Sequence, residues 1–185
     1  PVIGGVGLIN KLIKPIGHNF KKDKSIVLLI GKTFGHLEQS CFLKEIYSIT
    51  DGVPPEVNLL NEKNNGENVL KLIQDNLVLS SHDVSNGGLI IALSEMTIGS
   101  KYGIKIQKPK KLTNLSQYFF GEDQGRYILE IDENNLIKVE QILKNSNIYY
   151  ENIGLTQKEY FEIEGEMKIK TKELVKVNNE WYNNF

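Results

Sequence analysis

Ser81-His82-Asp83-Val84-Ser85-Asn86-Gly87-Gly88-Leu89 joins a short apolar strand to a helix through two adjacent glycines. Leu77 to Ser81 predicts the strand. After it, Leu89, Leu93 and Met96 recur at helical spacing, so the helix runs to about Ile98. A helix N-terminus offers free N–H groups and the positive end of the helix dipole, which suits phosphate. Gly87 and Gly88 admit a ligand, or another stretch of backbone, where a Cβ would block it. Ser85 or Asn86 is placed to cap the helix. A plainer explanation uses the same residues, since any strand–turn–helix corner needs a cap and a glycine.

Working outward, Phe120-Gly121-Glu122-Asp123-Gln124-Gly125-Arg126-Tyr127 gathers two carboxylates, an amide and a guanidinium before a strand. Glu122 and Asp123 are candidates for holding Mg²⁺, and Gln124 for binding a carbonyl or hydroxyl. Equally, Arg126 can neutralise either carboxylate within a polar loop. Gly31-Lys32-Thr33-Phe34-Gly35-His36-Leu37 follows a strand like a phosphate loop, but it lacks the Gly-Lys-Ser/Thr ending at the right spacing. Thr33 and His36 are read as capping or orienting the next helix. His18, His36 and His82 share no metal-ligand spacing. Cys41 falls on the apolar face of a predicted helix and is read as core. No nucleophile–base constellation is legible.

The remaining elements alternate between the two periodicities. Strands are expected over Pro1–Ile9, Ser25–Ile30, Gly103–Gln107, Arg126–Ile131 and Ile148–Leu155. Helices are expected over His36–Ile46, Asn65–Asn76, Leu112–Phe120 and Glu133–Asn145, with a hairpin turning at Glu164-Gly165. A terminal helix begins near Lys172 and docks through Trp181. This mixture is an α+β domain, and residues 1–185 are read as one domain.

Composition sets the class. Hydrophobic residues make up 40% of the 185 and charged residues 24%, ordinary for a globular chain. A net charge of −1 gives no broad footprint for nucleic acid or anionic lipid. The apolar runs are too short to span a membrane as a helix, and the opening residues lack a secretory-leader pattern. One cysteine excludes an internal disulfide and points to a reducing, cytoplasmic setting. Pro1 in place of methionine, followed at once by apolar residues, reads as a piece of a longer protein.

Five stretches in order carry a resemblance: Pro1 to Gly7, Leu29 to Leu37, Gly52-Val53-Pro54-Pro55-Glu56-Val57, Ser81 to Met96, and Phe120 to Tyr127. They resemble the large, synthetase subunits of the phosphoribosylformylglycinamidine synthase family. The His-Asp-Val-Ser-x-Gly-Gly-Leu form is similar to the C-terminal domain of the second half of that family. The resemblance implies a layered α/β/α sandwich, partly ferredoxin-like, shared with aminoimidazole ribonucleotide synthetase, selenophosphate synthetase and thiamine-monophosphate kinase. It implies a ligase of purine biosynthesis that uses ATP and Mg²⁺ to amidate formylglycinamide ribonucleotide, with ammonia supplied from glutamine by a glutaminase. The partners implied are the N-terminal ATP-binding domains of the same synthetase and that glutaminase. Most catalytic groups of the family lie in those N-terminal domains, so this chain is expected to be inactive alone. Carried over by position, His82, Asp83, Ser85, Asn86, Gly87, Gly88 and Gln124 become the phosphate- or nucleotide-binding candidates, and no residue here is read as catalytic. Two departures stand out. Asn86 replaces an Asp, removing a carboxylate, and Glu38 replaces a Gly after Gly-His-Leu.

Two roles remain open on the sequence. One is a component that supports catalysis done elsewhere. The other is a non-catalytic module for nucleotide-assisted stability or domain packing. The apolar opening, Val2 to Ile9, is expected to form an exposed strand edge that drives self-association as a homodimer.

Overall fold

Ile26-Val27-Leu28-Leu29-Ile30 has no polar side chain to offer solvent, so it can be stable only with both faces covered. The computed structural model of the chain, which describes residues 4–9, 14–109 and 114–183, places this segment as strand β1 (Ile26–Ile30), buried throughout. It lies inside a seven-stranded sheet with β2 (Ser80–Asp83), β3 (Tyr102–Ile106), β4 (Tyr127–Ile131), β5 (Tyr150–Lys158), β6 (Tyr160–Ile163) and β7 (Met167–Lys170). The order is β2-β4-β1-β5-β3-β6-β7, antiparallel throughout except for the β3–β6 pair.

Side-chain alternation along β1 divides the core in two. Val27 and Leu29 face one apolar cluster; Ile26, Leu28 and Ile30 face the other. Helix α3 (Gly88–Ile98) and helix α4 (Leu115–Phe120) fill the first, contributing Leu89, Leu93, Met96, Tyr118 and Phe119, and Leu174 of α6 (Thr171–Asn183) packs against it. Helix α2 (Leu59–Gln74) fills the second with Val69 and Leu72, and helix α5 (Leu136–Asn145) with Val139 and Leu143. Helices thus cover both faces, the expected α/β/α sandwich. β4 and β5 are both antiparallel to β1 and lie on either side of it, so the β4–α5–β5 crossover straddles β1. That split βαβ arrangement is the ferredoxin-like part of the topology.

Several expectations shift. Residues 4–9 form no strand, and Val6, Leu8 and Ile9 are exposed; with glycine at positions 4, 5 and 7, this segment has too few side chains to anchor a ladder. Val2 and Ile3 lie outside the described residues, as do Leu112 and Thr113 of the predicted fourth helix. The first helix, α1 (Cys41–Tyr47), starts five residues later than His36 because Ser40 caps it, its hydroxyl accepting from the Leu43 N–H at 3.3 Å. Cys41 is accordingly not core: α1 buries none of its residues and Cys41 is half-exposed. Helix α2 starts six residues earlier than expected, since the Asn58 side chain accepts from the Asn61 N–H at 3.0 Å. The last helix is present, with Trp181 59% exposed. The turn at Glu164-Gly165 and the hairpin of β6 and β7 match the expectation.

Candidate functional site

β1 and β2 run parallel and end at the same side of the sheet, where the antiparallel β4 begins. Topology therefore brings three polar stretches together: 31–40 after β1, 84–87 after β2, and 121–126 before β4. Gly31 shows how close they come. At φ +90, its missing Cβ would lie 2.7 Å from the Gly125 carbonyl oxygen.

The two motif carboxylates are engaged within the fold. Asp123, 4% exposed, accepts from the backbone N–H groups of Phe34 (3.0 Å), Gly35 (2.9 Å) and His36 (3.2 Å). The glycine loop after β1 therefore wraps a carboxylate in the way such loops wrap phosphate. Glu122 Oε1 accepts from the Gly87 N–H at 2.7 Å and the Cys41 N–H at 2.8 Å. It thus serves the N-termini of α3 and α1 together. Neither Ser85 nor Asn86 caps α3 with its side chain; Gly87 is the N-cap residue, and the Ser85 carbonyl accepts from the Gly88 N–H at 3.1 Å. Gly88 resolves the choice between ligand and backbone. A Cβ there would lie 2.6 Å from the Gly121 carbonyl oxygen and 2.7 Å from the Phe120 carbonyl carbon, so the close approach is by the end of α4.

Arg126 is buried and faces inward. Its guanidinium donates to the Thr33 hydroxyl at 3.2 Å, the Asp123 carbonyl at 3.2 Å and the Gly121 carbonyl at 2.5 Å, with the Asp123 carboxylate at 4.0 Å. Burial pulls its pKa below the ordinary value, opposed by Asp123. Thr33 is therefore an acceptor for Arg126, and His36 Nε2 lies 2.9 Å from the Val53 carbonyl; neither caps α1. Burial, reinforced by Glu122, pushes the Cys41 thiol up, away from a reactive thiolate. Glu38, the residue in place of glycine, accepts from the Val53 N–H at 2.7 Å and so tethers the loop before α2.

Two adjoining clefts open over these loops. One, of about 270 Å³, is lined by Asp83, Ser85, Asn86, Glu122, Gln124 and Arg126, together with Pro55, Glu62 and Tyr127. The other, of about 370 Å³, shares Pro55, Glu62 and Gln124 and adds Phe34, His36, Glu56 and Asp123. Asp83, Ser85, Asn86 and Gln124 are exposed there, whereas Gly87 and Gly88 are buried beneath. His82 lines neither cleft. Its Nδ1 is 3.2 Å from the Asp83 carboxylate, its Nε2 is 3.1 Å from that of Glu95, and its ring lies 5.2 Å from that of His18. Glu62 and Tyr127 were not singled out from the sequence. An acidic residue in the first turn of α2 is a helix-start signal that would have brought Glu62 to notice. Burial, with Glu62 and Asp83 adding, pushes the Tyr127 phenol up, as expected beside an acidic cleft.

Glu122 and Asp123 do not fit the Mg²⁺ that the resemblance implies. Both motif carboxylates face backbone N–H groups, and among the described residues no three His, Cys, Asp or Glu are disposed to hold a metal. Nor is any helix among them long and apolar enough to cross a membrane.

Comparison with known proteins gives concordant matches. The family model for AIR synthase related protein, C-terminal domain, matches residues 24–164. The chain is 43% identical over 185 residues to the phosphoribosylformylglycinamidine synthase subunit PurL of Pelagibacter ubique, covering 100% of this chain and 25% of that protein. It thus spans about a quarter of the length of the curated relatives it matches. Among solved structures, T. maritima PurL complexed with FGAR aligns at TM-score 0.69 and 13% identity, over 86% of this chain and 29% of that one. T. maritima PurL complexed with ATP aligns at TM-score 0.67 and 12% identity, over 86% of this chain and 27% of that one. At such identities the structural likeness speaks to the fold.

Proposed function

The chain belongs to the family of AIR synthase related protein C-terminal domains, and we propose on that footing that it works as one domain of a phosphoribosylformylglycinamidine synthase synthetase subunit in the cytoplasm. The observation that carries this reading is the 43% identity running the full length of the chain onto a quarter of a PurL subunit. The whole enzyme would be the carbon–nitrogen ligase that amidates formylglycinamide ribonucleotide with ATP and Mg²⁺, taking ammonia from a glutaminase partner. This domain would be the C-terminal one of the second half and inactive alone. Asp83, Ser85, Asn86 and Gln124, exposed on the cleft rim, would meet whatever faces it: a nucleotide, the substrate or the N-terminal domains of the same synthetase. His82, Gly87 and Gly88 would act by shaping the corner. Self-association through the apolar opening, Val2 to Ile9, remains part of the proposal for the chain on its own.

A chimaera tests the assignment. Replacing the corresponding quarter of the Pelagibacter ubique relative with this chain should restore growth without purines to a bacterial strain lacking its own synthetase subunit. A chimaera that is expressed and folded but fails where the parent relative succeeds would overturn the reading.

A further inference from the structure

The strand–glycine–helix corner and the glycine loop after β1 have the backbone features of anion sites, yet the fold has already placed an anion in each. Glu122 Oε1 lies on the Gly87 N–H at the start of α3 and on the Cys41 N–H. Asp123 lies on three consecutive N–H groups of the loop, and its charge is balanced by the inward-facing Arg126. Among the described residues no lysine lines either cleft; the basic side chains there are His36 and the buried Arg126, against Glu56, Glu62, Asp83, Glu122 and Asp123. A phosphate entering would meet carboxylates and find these N–H donors engaged. Displacing Asp123 would leave a carboxylate and a guanidinium buried without their partners, a heavy penalty in a dry site.

We infer that Glu122 and Asp123 are built-in anions that occupy the phosphate positions of this corner, so that this domain holds no phosphate or nucleotide there by itself. They are positioning residues: Glu122 pins the starts of α3 and α1 together, and Asp123 shapes the loop from Thr33 to His36. The inference rests on hydrogen-bond geometry and charge. It therefore stands or falls separately from the synthetase assignment, which the chimaera tests by growth.

The measurement is amide chemical shifts of the isotope-labelled 185-residue chain, titrated with inorganic phosphate and with ADP plus Mg²⁺. The amide signals of Phe34, Gly35, His36, Cys41 and Gly87 should show no saturable shift with either ligand. A saturable shift centred on Gly87, or on Phe34 to His36, overturns the inference. Glu122→Gln keeps the shape and removes the charge, so the amide protons of Cys41 and Gly87 should move upfield while those of Phe34 to His36 hold. Asp123→Asn should do the reverse. Amide protons that stay in place in folded variants would show that the carboxylates do not fill these positions. Should Asp123→Asn fail to fold, the Glu122 variant and the wild-type titration still decide the outcome.

Discussion

Helix α3 buries seven of its eleven residues, whereas α1 buries none of its seven. Both start at loops that converge on the same corner, and both have a backbone N–H on the Glu122 carboxylate. The difference is what lies beneath them. α3 rests on the sheet, with Leu89, Leu93 and Met96 in the same cluster as Val27, Leu29, Ile104 and Ile128. α1 is held at its start by Ser40 and Glu122 and along its edge by a stacked Phe42–Phe120 ring pair at 4.4 Å, and leaves Ile46 64% and Tyr47 59% exposed. An isolated helix of that length is not stable in water, so these contacts carry it. One helix is made by burial and the other by capping, within one domain.

That contrast gives an ordered series of substitutions, each measured by denaturant unfolding of the chain. Gly88→Val should be the most damaging, at about 4 kcal/mol or more. It forces a β-branched residue to φ +72 and drives its Cβ into the backbone of residues 119–121. Stability close to wild type would show that the start of α3 does not lie against the end of α4. Leu93→Ala, at a position with no exposure, should cost about 3 kcal/mol through lost burial and the cavity left behind. A loss well under 1.5 kcal/mol, roughly half that expected for a buried leucine, would mean α3 is less firmly seated than its burial implies. Ile46→Ser on α1 should change stability by no more than about 0.5 kcal/mol, because that side chain is exposed and none of the described residues buries it. A loss as large as that of Leu93→Ala would erase the distinction between the two helices.

The legible parts of the sequence were those in which a local pattern and the tertiary environment agree. Ile26 to Ile30 reads as a doubly buried strand because every side chain is apolar, and the structure buries all five. The α3 start at Gly88 was legible because two glycines interrupt one periodicity and begin another. The boundaries that moved were set by polar side chains. Ser40 and Asn58 determine where α1 and α2 begin, and each sits among other residues able to cap. The apolar spacing of Leu37, Cys41, Phe42 and Ile46 suggested a core face for α1, but periodicity cannot say whether anything lies opposite that face.

At the corner, the sequence by itself established that polar residues of the right kinds stand at loop ends: Asp83 to Asn86, Glu122 to Gln124, and the loop from Gly31 to Leu37. It also established an alternation of strands and helices that makes an α+β domain, while the layered sandwich was what the resemblance implied. Only the tertiary structure decided which groups satisfy one another. Glu122 reaches Gly87 across 35 positions and Asp123 reaches Phe34 across 89. The Arg126 guanidinium turns inward to a threonine 93 positions away. Spacing along a chain reports neighbours within a helix or a strand, because those neighbours share one backbone geometry. A carboxylate's partner in another element depends on which strand ends come to the same side of the sheet, and that is settled by packing.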